Sequence, residues 1–152
     1  MMKNNRPKGF WFVIISGIVL LVLLLLGQTM SFINYDFTVS LGLQEPVDEI
    51  GKLGIEVNKA FGVGDTIIYI PLLISGLIGL WRKQAWGIFQ MGCTFAITAY
   101  WPVVCLFIII FGNSLPDFNY VDLTSIIILL ISFTIYGIWG MYYVYKNQKL
   151  LL

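Results

Sequence analysis

The sequence predicts an all-α integral membrane protein: a four-helix bundle with an external loop that carries a short interfacial amphipathic helix. Three observations lead there. Of 152 residues, 59% are apolar and 11% charged, too few polar side chains to cover a water-soluble globule. Four apolar runs, 10–33, 61–81, 85–111 and 123–145, are each long enough to cross a hydrocarbon core about 30 Å thick. The charges are also segregated, with all eight acids in 36–65 or 117–122 and seven of the nine Lys/Arg elsewhere. The spans leave no room for a soluble domain, so residues 1–152 read as a single membrane domain.

Span one follows Lys3, Arg6 and Lys8. A basic start before an apolar run resembles a secretory signal, but the run extends well past the usual length of about 7 to 15 residues and no small-x-small cleavage site follows. It reads as a retained span. Gln28 lies near its far end beside Gly27 and Ser31.

The loop 34–60 alternates from Tyr35 to Leu43, with Tyr35, Phe37, Val39, Leu41 and Leu43 against Asp36, Thr38, Ser40 and Gly42. That is a strand period, and with no partner strand evident it predicts an extended segment at the interface or over the bundle mouth, with sheet pairing across a dimer as the alternative. Pro46 then suits the first turn of a helix. Beyond it, Ile50, Leu53, Val57 and Phe61 recur at helical spacing, with Asp48 and Lys52 on a charged face. This is the interfacial helix, either a solvated connector or a lid over a site in the membrane.

Span two opens Gly62-Val63-Gly64-Asp65 and places Tyr69 one turn deeper on the same face as Asp65. An ionisable side chain inside a span usually faces the bundle interior or water. The competing reading makes Asp65 the N-cap of a helix entered through two glycines. Pro71 lacks an N–H and should kink the span or free the carbonyl of Ile67. Arg82 and Lys83 form the turn to span three.

Span three carries a polar stripe of Gln90, Thr94, Thr98, Trp101 and Cys105, and span four one of Ser125, Ser132, Tyr136, Gly140 and Tyr143. Both stripes should face inward, for close packing or to line a pocket. Cys93 and Cys105 stand about 18 Å apart along one helix and cannot bridge each other. No histidine is present, which removes histidine general bases, HExxH zinc sites and bis-histidine haem. No metal site and no cofactor is expected.

Lys/Arg resist translocation and mark the cytoplasmic side. Residues 3–8, the 82–84 turn and 146–149 are basic, so both termini are expected in the cytoplasm and loops 34–60 and 112–122 outside, with the cell membrane as the location. A net charge of +1 without a concentrated basic face excludes a nucleic-acid partner.

Four segments, Leu41-Gly-Leu-Gln-Glu-Pro46, Phe61-Gly-Val-Gly-Asp65, Tyr69-x-Pro71-Leu-Leu and Tyr100-Trp-Pro-Val-Val104, resemble an uncharacterised prokaryotic family of small four-span membrane proteins. A weaker likeness, carried by Asp36, Asp65 and Pro71, is to the EXPERA domain of sterol isomerases and the sigma-2 receptor. It implies a lipid-accessible cavity flanked by two acids. Isomerases of that family use a histidine that is missing here, so the resemblance implies binding rather than catalysis.

The candidate ligand-binding residues are therefore Gln28, Asp36, Asp65, Tyr69, Thr98, Trp101 and Ser132, converging on a pocket in the outer leaflet. The favoured expectation is a non-enzymatic module binding a lipid or small amphiphile around Asp65, with no catalytic residues. The alternatives are a proton-coupled transporter or exporter acting as a homo-oligomer, an accessory subunit of a membrane complex, and a membrane enzyme using Asp65 as acid or base. Reporter fusions test the topology: those at the C-terminus and in the 82–84 turn should report cytoplasm, and one in 113–119 the exterior. The reverse pattern contradicts it.

Overall fold

A computed structural model describes residues 6–112, 114 and 122–151, and every regular element among them is helical. In chain order these are α1 (Lys8–Ile33), α2 (Tyr35–Ser40), α3 (Val47–Trp81), α4 (Ala85–Gly112), α5 (Leu123–Lys146) and α6 (Gln148–Leu151). Helices α1, α3, α4 and α5 are each long and apolar enough to cross a membrane. The chain is a multi-pass membrane protein built as an all-α four-helix bundle.

The four long helices form an antiparallel ring. Gly17 of α1 meets Leu77 of α3, and Gly62 of α3 meets Gln28 and Ser31 of α1. Gly79 and Gly87 bring the backbones of α3 and α4 together, while Gly137 and Gly140 of α5 seat against Ala99 and Phe95 of α4. The ring closes where Ser16 of α1 bonds to the Tyr136 hydroxyl of α5 at 2.6 Å. Among apolar surroundings, helices gain little from the hydrophobic effect and associate through close packing and interhelical hydrogen bonds, each worth about 0.6 to 2 kcal/mol. Such bonds join α1 to α3 (Thr29–Thr66, 2.8 Å) and α3 to α4 (Tyr69–Thr98, 2.5 Å; Ser75–Gln90, 2.5 Å).

Both described chain ends and the 82–84 turn lie at one end of the bundle, with Arg6, Lys8, Arg82, Lys83, Lys146 and Lys149; we call it the basic end. Arg6 donates to the carbonyls of Leu80 and Trp81 at 3.0 and 2.7 Å, and stacks on Phe10. These are carbonyls at the C-terminus of α3, where the helix leaves acceptors unpaired and a cation is favoured. The tightest core lies on this side, around Phe10, Val13, Leu73, Leu80, Met91 and Phe95. The opposite, acidic end is more open.

Two sequence expectations are corrected there. Residues 35–40 are not extended but form α2, because the Asn34 side chain accepts from the Phe37 N–H at 3.2 Å and caps a helix. The amphipathic helix does form, but it does not end before span two: α3 runs without a break from residue 52 into the span, preceded by one turn from Val47, so the connector shrinks to 34–46. One bend interrupts α3, at Gly51, whose φ of 66° falls in the left-handed region that glycine tolerates. A π-helical turn, Asp65–Tyr69, lies two residues before Pro71, in the stretch where the missing proline N–H and the ring disturb the helical ladder. A second π-helical turn, Leu25–Thr29, sits beside it on α1.

A Cβ at residue 79 would collide with the Gly87 backbone, whereas one at residue 92 has no neighbour within 4 Å. Gly79→Ala should therefore destabilise by about 1 to 3 kcal/mol, and Gly92→Ala should be neutral or stabilising by up to about 1 kcal/mol. Thermal unfolding in detergent micelles checks this; equal melting temperatures for the two variants would contradict the packing.

Candidate functional site

The acidic end holds a cavity of about 460 Å³ between α3, α4, α5 and the 34–46 connector. Its apolar wall comes from the face of α3 that carries Ile50, Leu53, Val57 and Phe61, and from the facing parts of α4 and α5. Polar side chains reach it from α1 and α4 as well as from the connector and α3. Gln28 arrives from the π-helical turn of α1, Trp101 from the middle of α4. The Gln28 Oε1 and the Trp101 Nε1 are both buried without a hydrogen-bond partner. Buried polar atoms are nearly always paired, and each one left unpaired costs about 1 to 3 kcal/mol. Gln28 and Trp101 both line the cavity, and each carries one such unpaired atom, buried behind the lining surface.

The connector is held over this space by Asn58. Its Nδ2 donates to Gln44 Oε1 at 2.7 Å and lies 3.1 Å from the Tyr35 hydroxyl and 3.3 Å from Glu45 Oε2. Tyr35 in turn donates to the Glu45 carbonyl at 3.0 Å, and Gln44 Nε2 to the Gly27 carbonyl at 3.2 Å. Gly27 belongs to the π-helical turn, where backbone carbonyls depart from the i to i+4 pattern, so the connector is pinned at the place where α1 has an acceptor to offer. Gln44, Glu45 and Asn58 all line the cavity. Burial pushes the Glu45 carboxyl above the ordinary glutamate value; hydrogen bonds to its own backbone and from Asn58 oppose this, and nearby Glu49 adds to the rise.

The sequence-predicted residues separate into three groups. Gln28 and Trp101 line the cavity together. Tyr69 and Thr98 are buried and bound to each other: Thr98 donates to the Thr94 carbonyl at 2.8 Å, so Tyr69 is the donor in their 2.5 Å contact. This pair ties α3 to α4 and is spent on packing. Ser132 corrects the expectation of an inward stripe on α5: it is exposed and donates to its own helix, at the Ile128 carbonyl. Only the part of that stripe nearer the basic end, Tyr136, Gly140 and Tyr143, is packed.

The two acids are not brought together. Asp36 is exposed and lines a separate shallow groove with Lys52 and Lys59. Asp65 is 8% exposed and begins the π-helical turn of α3, so it is not a helix N-cap; the helix has been running since Lys52, after the bend at Gly51. Its carboxylate accepts no hydrogen bond among the described residues. It does not line the cavity. Sequence reasoning missed Glu45 and Asn58. Asn58 lies four residues beyond Gly54 on the apolar face of α3, a polar break in that stripe that could have marked it.

Compared with protein-family models, curated proteins and solved structures, the chain matches none.

The raised Glu45 pKa has a definite sign. The folded chain holds this proton more tightly than the unfolded chain, so stability is greatest below the ordinary glutamate range and falls as pH rises through the raised value. Between about pH 4 and pH 8, the wild type should lose more melting temperature than Glu45→Gln, which has no proton to lose. A larger loss in the variant would contradict the assignment.

Proposed function

We propose that this protein resides in the cell membrane with both termini in the cytoplasm and, without catalysing a reaction, binds a lipid or small amphiphile in the acidic-end cavity. The observation that carries the reading is a mostly apolar cavity whose wall includes Gln28 and Trp101, each with a polar atom that no other group pairs. A ligand head toward which either side chain turns removes a buried defect, and a tail fills the apolar wall. The volume of about 460 Å³ lies within the range of about 300 to 1,000 Å³ usual for small-molecule sites. The orientation is supported by the concentration of bases at the end that holds the termini and the 82–84 turn.

Purification from native membranes in mild detergent, followed by native mass spectrometry, tests binding. The wild type should retain a bound amphiphile, and Trp101→Phe, which removes the donor and keeps an aromatic wall, should lower retention about five- to tenfold. Ligand-free wild type would contradict the reading.

One observation favours a second reading. The buried, unbonded carboxylate of Asp65 sits inside a span, as proton-coupled transporters require. A transporter, acting as a homo-oligomer, predicts pH-gradient-driven flux in liposomes that Asp65→Asn abolishes, while the binding module predicts no flux and unchanged ligand retention in that variant.

A further inference from the structure

The cavity is covered by a piece of chain set between two breaks in helical geometry. Residues 35–50 begin after Asn34, at φ −150° and ψ 88°, and end before Gly51, at φ 66° and ψ 174°. Large dihedral changes concentrate at such element ends, so α2, the connector and the first turn of α3 can move as one body. Leu43, Gln44, Glu45 and Ile50 of this piece line the cavity. Asn58, beyond the break, fastens it to α3. The Asn58 amide has two N–H groups but three acceptors within 3.3 Å, Gln44 Oε1, the Tyr35 hydroxyl and Glu45 Oε2, all on the cover. Gln44 Nε2 adds a bond to the Gly27 carbonyl of α1. Bonds of this kind are worth about 0.5 to 1.5 kcal/mol each, so the cover can open without unfolding the bundle.

Glu45 is the member of this latch that titrates below neutral pH. Around it stand Tyr35 of α2, Glu49 on the first turn of α3 and, on the cavity wall, Cys105 of α4; α1 presents Gln28, and α5 presents Ile126 and Leu130. Every titratable neighbour is an acid, and no Lys or Arg lines the cavity. Ionised, Glu45 gains from the Asn58 N–H but loses more from desolvation, the larger of the two opposed effects, and Glu49 adds repulsion. Swinging the cover outward returns the carboxylate to water.

We propose that residues 35–50 form a gate over the cavity, latched on Asn58 and released when Glu45 loses its proton. The gate opens as pH rises. Glu45 has its ordinary value in the open form and the raised one in the closed form, so the open-to-closed ratio climbs about tenfold per pH unit between the two and levels off above. Access to the cavity is a property of the empty protein and goes beyond the binding reading.

Pulsed electron spin resonance of delipidated protein in micelles measures the motion. Spin labels are placed through Ser40→Cys on α2 and Ser125→Cys on α5, both exposed positions, with Cys93→Ser and Cys105→Ser removing the native thiols. Between about pH 4 and pH 8, the distances should pass from one short population to a mixture with a longer one. Glu45→Gln should keep the short population at both pH values, and Asn58→Ala should show the longer one at both. A distribution unchanged by pH overturns the gate. An equal shift in Glu45→Gln overturns Glu45 as the trigger, and an Asn58→Ala distribution identical to its parent overturns the latch. None of these results alters ligand retention, which native mass spectrometry reads separately.

Discussion

Gly62 carries no side chain, and in that absence α3 rests directly on the Gln28 carbonyl and Ser31 hydroxyl of α1. The rest of the acidic end depends on this contact. It sets the two π-helical turns side by side, lets Thr29 and Thr66 bond at 2.8 Å, and fixes the direction from which Gln28 approaches the cavity. A side chain at position 62 would meet backbone rather than a yielding side-chain tip, so the helices would have to part. Since helices in hydrocarbon are held by contact and not by expulsion of water, a small separation there removes most of what joins α1 to α3 at that level.

The two ends of the bundle solve different problems. At the basic end, rings from α1, α3 and α5 interlock: Trp11 meets Trp81, Phe12 meets Trp139, and Trp139 stacks on Tyr143. The glycine pairs let backbones touch. At the acidic end, α3 runs on past α1 and bends at Gly51, the connector folds back over it, and the space between is left to side chains that do not fill it. A closed half and an open half in one bundle is the geometry of a site supported by a scaffold.

Much of this was legible in the sequence. Span number, the inward stripe of α4 and the apolar face of α3 follow from helical periodicity over long windows, where one residue's preference counts little. The alternating 35–43 segment misled because the window is short and local capping decides it: Asn34 takes the Phe37 N–H, and the Thr38 and Ser40 hydroxyls bond back to carbonyls of their own turn. Only Tyr35 and Thr38, three apart, are buried. Asp65 stood out as the sole carboxylate in a span, but charge alone cannot say which wall of a helix a residue faces, and the extra residue of a π-helical turn shifts that face. Gln28 and Trp101 were found because polar side chains near one depth are rare; Glu45 and Asn58 were missed because their partnership needs the connector folded back, which no local pattern encodes.

The proposed binding turns on one atom, the Trp101 indole Nε1, which is buried and has no partner. Nuclear magnetic resonance of the indole N–H groups, with the Trp101 signal assigned by its loss in Trp101→Phe, addresses that atom directly. On adding a monoacylglycerol to the delipidated protein, the Trp101 signal should move downfield and exchange more slowly with water, while those of Trp11, Trp81 and Trp86 at the basic end stay in place. An unmoved Trp101 signal under saturating amphiphile would contradict the claim.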